Sequence, residues 1–288
     1  MPRLIINADD FGLTSGINRA IAEAGHSGAI TSATLMARSR AFDEAVSLSE
    51  QTSKLSIGCH VVLIDGEPIC PNLPTLARNG SRFRDSLKEF AVAAVRKQIS
   101  QEEVRREAEA QIRKIQSAGI TVTHIDSHKH THVFPHVLRP VLQAAKACGV
   151  SAVRNPFEPR RIWPRGLASS TSSLWSRAAG VRFLQIFSKQ FQQAVHEEGM
   201  LTTDGTAGIM ITGMLNQDLL NCTLRSLPEG TWELVCHPGY LDDDLRAAGT
   251  RLLESREIEL KALSSSVTKN VLAEQHIEPI SFADLKHS

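Results

Sequence analysis

Strand-like runs alternate with helical runs along most of this chain, and that alternation restricts the fold more than any other feature. Arg3–Ala8 reads as a strand and leads into a helix predicted from about Ser15 to His26, with Thr14 or Ser15 as its cap. A strand over Ile30–Ala37 precedes a helix near Ala41–Gln51, and Ser56–Leu63 is the next strand. A long loop bearing Pro and Gly then runs to Gly80, followed by a charged helix near Gln101–Ala118. The β-branched run Ile120–Ile125, a helix over Pro135–Cys148 and a strand over Ser151–Arg154 continue the rhythm. Gly205–Ile211, a helix near Leu215–Ser226, Trp232–Cys236 and two closing helices ending at Ile280–Phe282 complete it. Repeated βα units of this number predict an α/β fold, a parallel barrel that is incomplete or distorted. No linker or internal repeat divides residues 1–288, so one domain is expected. The stretch from about 155 to 204 is too long for a βα connection and reads as an insertion on the barrel.

Composition sets outer limits. With 288 residues and 42% hydrophobic content the chain can bury one large core. A net charge of +1, with 22% charged residues, argues against disorder and against nucleic acid as a partner. The five cysteines are odd in number and contain no C-x-x-C, which favours a reducing, cytoplasmic setting. Because Arg3–Ala8 already reads as a strand, no signal peptide is expected, and no apolar run is long enough to span a bilayer.

The chemistry gathers around T-H-I-D-S-H-K-H-T-H-V-F, Thr123 to Phe134. Four of the 11 histidines, His124, His128, His130 and His132, fall within nine positions here, where a strand gives way to a helix. In an extended chain His124, Asp126, His128 and His130 share a face; in a helix His128 and His132 pair. Either arrangement brings imidazoles together and suits a metal. Four other strand ends echo it: Asp9-Asp10 before Phe11-Gly12, His60 after Gly58-Cys59, Arg154 before Asn155-Pro156, and His237 before Pro238-Gly239. A flat strand would point Asp9 and Asp10 to opposite faces, so the chain must turn at Asp10. A barrel brings all these ends to one rim. One carboxylate and two imidazoles make a catalytic divalent-metal set, and a second carboxylate and a further His then remain for acid–base work. Metal-assisted hydrolysis is the leading class. A metal-dependent phosphoesterase and a non-catalytic sugar- or lipid-binding barrel with a structural metal are the rivals.

The strings N-A-D-D-F-G-L-T-S-G-I-N, I-T-S-A-T-L-M, G-C-H-V-V-L, T-H-I-D-S-H-K-H-T-H and C-H-P-G resemble those of the YdjC/ChbG family of carbohydrate deacetylases. The resemblance covers nearly all of the chain outside the insertion. It implies a distorted (β/α) barrel of the NodB-like deacetylase type that hydrolyses the N-acetyl group of an amino sugar with one divalent metal. It makes Asp10, His60 and His128 the metal ligands, Asp9 the general base and His237 the general acid. Arg154 would orient Asp9, by analogy with the more distant NodB pattern. Lys129 and Thr131 depart from the commoner D-S-H-H-H-V-H, which alters the substrate-facing side where His130 and His132 are assigned. The resemblance implies Mg²⁺, whereas two imidazole ligands suit Zn²⁺, Mn²⁺ or Fe²⁺ better.

The long insertion and the I-S-F-A-D-L ending are most similar to the hopanoid-biosynthesis branch, HpnK, which implies a lipid-linked N-acetylglucosaminyl substrate rather than a soluble chitooligosaccharide. The insertion itself holds Phe157, Trp163, Trp175, Phe183, Phe187 and Phe191, six of the chain's fourteen aromatics. Between Phe157 and Phe191 it also carries Arg160, Arg161, Arg165, Arg177, Arg182 and Lys189 against the single acid Glu158. Phe183, Phe187 and Phe191 would form one stripe if helical, with Phe187 and Phe191 contacting substrate. Such a surface suits peripheral contact with the inner membrane or an apolar ligand. A homodimer stays open.

Overall fold

The computed structural model describes residues 1–78, 81–163, 178 and 180–286. In chain order the strands are β1 (Pro2–Phe11), β2 (Ser32–Leu35), β3 (Ser56–Val61), the β4–β5 hairpin (Ala77–Arg78, Arg82–Phe83), β6 (His124–Ser127), β7 (Ala152–Val153), β8 (Gly205–Ala207), β9 (Gly230–Cys236) and β10 (Glu278–Ile280). All but the hairpin join one curled parallel sheet in the order β7-β6-β3-β2-β1-β9-β8, with β10 paired to the start of β1. The two ends of that order meet at Leu201, whose N–H donates to the Ser151 carbonyl and whose carbonyl accepts the Val153 N–H. The expected distorted (β/α) barrel is therefore the fold.

Period-two alternation divides the sheet into two unlike faces. Leu4, Ile6 and Ala8 of β1, with Trp232, Leu234 and Cys236 of β9, join the apolar cluster that also takes in the helices. Asn7 and Asp9 of β1, His60 of β3, His124 and Asp126 of β6 and Glu233 of β9 make up a polar interior, all of it buried. Closure at the lower end comes from β10 and the turn after it. Phe282 stacks on His124 with centroids 3.7 Å apart, its N–H donates to Ser32 Oγ, and it packs with Ile5, Ala152 and Ile280. Gly58 makes room for that His124 ring, because a Cβ there would lie 2.5 Å from His124 Cε1.

Several elements differ from expectation. The His-rich strand is His124–Ser127, not Ile120–Ile125, because parallel pairing sets Ile125 opposite Cys59 and leaves residues 120–122 with no strand beside them. The loop before the charged helix contains a further helix, Leu87–Val95, capped by Ser86. The Gln101–Ser117 helix, expected as a charged helix, buries part of its polar side. Glu103, Glu107 and Gln111, at i, i+4 and i+8, are buried and accept backbone N–H groups of Thr75 and Leu76, of Ile69 and Cys70, and of Val62. They hold the loop that follows β3.

The stretch from 155 to 204 contains the Ser188–Glu198 helix, which packs on the Pro135–Ala147 helix through Arg139–Glu197 and Lys146–Glu198 pairs. It is the crossover helix between β7 and β8, so the excess over an ordinary unit is confined to about 156–187. The aromatic stripe is graded rather than uniform. Phe183 is 57% exposed, Phe187 is half-buried against Phe134, and Phe191 is fully buried against Phe157 and His132. Phe191 is thus a core residue and not a substrate contact, because the helix turns that side onto the barrel. Arg165, Trp175 and Arg177 lie outside the described residues. Among the described residues no helix is long and apolar enough to cross a membrane, and the five cysteines are free.

Candidate metal centre

The paired aspartates reach the same side of β1 through a local break in the strand. Asp10 has φ 67°, and the register with β2 shifts between Ala8 and Phe11, so one extra residue bulges out. The turn expected at Asp10 is this bulge, placed within the strand rather than after it. Left-handed backbone is tolerated by Asp better than by most residues. A left-handed pair, Lys129 and His130 at φ 54° and 53°, turns the chain directly after His128.

These turns bring together three donor atoms. Asp10 Oδ1 lies 3.6 Å from His60 Nε2 and 3.6 Å from His128 Nδ1, and the two imidazole nitrogens are 3.3 Å apart. Edges of that length match a tetrahedral face with bonds of about 2.1 Å, the N/O geometry of zinc and similar ions. The other oxygen of Asp10 accepts from Arg256 Nη2 at 2.6 Å. Burial acts to raise the Asp10 carboxyl, but Arg256 and the hydrogen bond and charge of His128 outweigh it and hold it well below the usual range. The His60 Nδ1–H donates to Asp126 Oδ1, 2.8 Å away. Burial opposes its charge, yet Asp126, Asp9 and Asp10 raise its pKa to about 9. Asp9, His60 and Asp126 form a second candidate donor group. Its two carboxylates are already bound to Arg154, which makes it the poorer site.

Arg154 is fully buried and serves three carboxylates at once. Its Nη1 and Nη2 donate to Asp9 at 2.8 and 2.6 Å, Nη1 lies 2.5 Å from Asp126, and Nε donates to Glu233 at 2.8 Å. Burial would raise Asp9, but the charge and two hydrogen bonds of Arg154 hold it far below the carboxylate range. Asn7 Nδ2 and Thr34 Oγ1 also donate to Asp9. Glu233 goes the other way: burial, with Asp9 and Asp126 adding to it, lifts it to about 7 despite Arg154.

His237 places Nε2 3.9 Å from Asp9 Oδ2, and its Nδ1 is buried with no hydrogen-bond partner among the described residues. Burial, helped by Arg256 and Arg154, lowers its pKa to about 4 against the pull of Asp9 and Asp10, so the ring is neutral at neutral pH. His130 is half-buried and lowered to about 3 by burial and then by Arg154, and its Nδ1 has no hydrogen-bond partner among the described residues. It stays available to a ligand. His132 does not: it is fully buried, with Nδ1 on Ser127 Oγ at 2.5 Å and Nε2 on the Arg154 carbonyl at 3.2 Å. The turn at Lys129–His130 swings it inward, so it supports the strand end instead of facing substrate. Lys129 pairs with Asp65 of the loop after β3.

Sequence reasoning missed Asp126 and Glu233 as partners of Arg154, and Arg256 as the partner of Asp10. Glu233 was detectable, since it lies on β9 with the alternation that also turns His237 inward. Arg256 left no trace, because it arrives from a helix far along the chain.

The model for YdjC-like proteins matches residues 3–274. The chain belongs to the YdjC-like family. The match ends before β10, so the strand that seals the barrel lies beyond it. A carbohydrate deacetylase of Brevibacillus brevis is 31% identical over 284 residues, covering 98% of this chain and 99% of that protein. One from Geobacillus stearothermophilus is 32% identical over 286 residues, covering 99% and 98%. Among solved structures, a candidate cellobiose-phosphate cleavage protein of Enterococcus faecalis superposes with a TM-score of 0.77 at 25% identity, over 99% of both chains. This YdjC-like chain thus aligns with nearly the whole of both deacetylases.

Proposed function

We propose that this YdjC-like protein is a carbohydrate deacetylase that hydrolyses the N-acetyl group of an amino sugar, with one divalent metal held by Asp10, His60 and His128. The observation that carries the reading is the division between the two aspartates. Asp10 faces the imidazoles, while its neighbour Asp9 is kept ionised on Arg154 and out of the donor cluster. A purely structural metal site has no use for that second carboxylate. The deacetylase relatives in the same family favour the same chemistry.

A cation in this site would lower the pKa of a water and polarise the acetyl carbonyl. Asp9 accepts the proton of the attacking water, and Arg154 fixes the direction of its oxygens. His237, neutral and 3.9 Å from Asp9, is placed to pass that proton to the departing amine. Acetate and the free amino sugar result. The Asp–His–His donor set takes Zn²⁺, Mn²⁺ or Fe²⁺ more readily than Mg²⁺.

For the substrate, the reading is a lipid-linked N-acetylglucosaminyl group of the hopanoid type, acted on at a membrane surface. Its support is a pair of exposed apolar side chains, Phe183 at 57% and Ile186 at 60%, on a segment that also exposes Arg182. Rings of Phe183, Phe187 and Phe134 lead from it to the turn that carries His128. Mass spectrometry after incubation with soluble and lipid-linked N-acetylglucosaminyl compounds tests both levels. Loss of one acetyl group is expected, and Asp9→Asn should cut turnover by roughly two to four orders of magnitude while retaining metal. Near-wild-type turnover in Asp9→Asn would refute its role as base. Replacing Phe183 and Ile186 with Ser should impair the lipid-linked compound far more than the soluble one, and equal losses would refute the lipid assignment.

A further inference from the structure

The Ser255–Leu263 helix reaches two separate parts of the centre from one buried face. Arg256 and Glu259 stand at i and i+3 on it, and both are completely or almost completely buried. Arg256 Nη2 donates to Asp10 Oδ2 at 2.6 Å, and its Nε donates to the Leu252 carbonyl at 3.1 Å, which fixes the guanidinium plane. Glu259 Oε2 accepts the backbone N–H of His237 at 2.6 Å. The grip on the turn after β9 continues at alternate residues. The Gly239 N–H donates to the Arg256 carbonyl and the Leu241 N–H to Glu257 Oε1. Gly239 keeps this contact close, since a Cβ would lie 3.0 Å from Arg256 Cδ and press on its side chain.

Each contact has a chemical consequence. With Oδ2 engaged by Arg256, Asp10 offers only Oδ1 to the cluster, and Oδ1 is the atom equidistant from His60 and His128. A carboxylate freed from that bond could rotate or present both oxygens, closing positions a water and a substrate need. The Glu259 bond is to main chain, so it sets the height of the His237 ring over Asp9 without touching the ring itself.

We propose that Arg256 and Glu259 are positioning residues that tie the one-oxygen donor Asp10 and the imidazole of His237 to a single rigid helix, fixing the distance between the metal ligand and the proton-transferring group. The Asp10 half stands without the deacetylase reading, whereas the catalytic consequence at His237 rests on it.

Calorimetric titration of the full chain with Zn²⁺ and with Mn²⁺ tests the first arm and needs no substrate. Arg256→Met should bind metal about 10–100-fold more weakly, as loss of a ligand's hydrogen-bond partner does, and Arg256→Lys should recover part of it. Unchanged or tighter binding in Arg256→Met overturns this half, and if that variant does not fold, wild-type affinity in Arg256→Lys does so. For the second arm, Glu259→Ala should lower kcat about tenfold or more with KM and metal affinity nearly unchanged, and Glu259→Gln should restore part of the loss. In a His237→Ala background either Glu259 substitution should cost nothing further, because it acts through that ring. Additive losses in this cycle overturn the assignment. Exchange of the His237 amide, read by mass spectrometry, should be at least ~10-fold faster in Glu259→Ala whatever the substrate proves to be. Unchanged exchange removes the Glu259 arm, while absent acetyl hydrolysis in the wild type removes only the deacetylase reading.

Discussion

Replacing Arg154 with Met should show how much of the barrel's stability hangs on one side chain. Arg154 is fully buried and bridges Asp9, Asp126 and Glu233, each itself buried. Removing one partner of a buried pair costs about 3–5 kcal/mol, because an uncompensated charge stays behind. Here three carboxylates lose their partner together, so that range is a floor. At about 2–4 °C per kcal/mol for a chain somewhat smaller than this one, the melting temperature should fall by roughly 6–20 °C. The pH dependence adds a second check. In the wild type Asp9 and Asp126 are held low, so their contribution is present above the unfolded carboxylate pKa and fades as pH falls through the folded values. In Arg154→Met burial would raise all three carboxyls. They would take up protons in the folded state as pH falls, which stabilises the variant. The gap between the two proteins should therefore narrow, by at least about 1 kcal/mol, between pH 8 and pH 5.5. Urea unfolding followed by circular dichroism at the two pH values measures both quantities. A loss below ~1 kcal/mol at pH 8, or a gap that widens in acid, would refute the picture of Arg154 as the shared counter-ion.

Three further expectations follow from burial and donor geometry. His128→Ala should purify folded but lose more metal affinity than the ~10–100-fold typical of a ligand's partner, and full occupancy by elemental analysis would strike His128 from the donor set. Phe282→Ala should cost about 3–5 kcal/mol in urea unfolding by opening the lower end over His124, with metal affinity untouched, and a loss under ~1 kcal/mol would show that the plug is dispensable. Phe191→Ser should destabilise by a similar ~3–5 kcal/mol, whereas Phe183→Ser should stay within about 0.5 kcal/mol, and equal values would contradict their opposite burial.

What the amino-acid sequence determined by itself is what local pattern and periodicity control. The βα rhythm specified a parallel barrel, and their places at strand ends put Asp9, Asp10, His60, His128, Arg154 and His237 on its expected rim. The need for a turn at Asp10 followed from the same rule, since two adjacent carboxylates cannot share a strand face without a break such as the φ 67° bulge. Tertiary structure decided whatever depends on a partner distant in the chain. His130 and His132 look alike in sequence, yet the left-handed turn between His128 and Thr131 leaves one half-exposed and buries the other on Ser127 and Arg154. Phe191 repeats Phe183 and Phe187, but only the packing of its helix on Pro135–Ala147 makes it core. Glu103, Glu107 and Gln111 are buried only because the loop after β3 folds over them and gives them its backbone N–H groups. Arg256 and Glu259 lie 246 and 22 residues from the groups they hold. A helix's intrinsic pattern says which face is apolar, and a buried charge on that face is stable only when the opposite group has already been brought there.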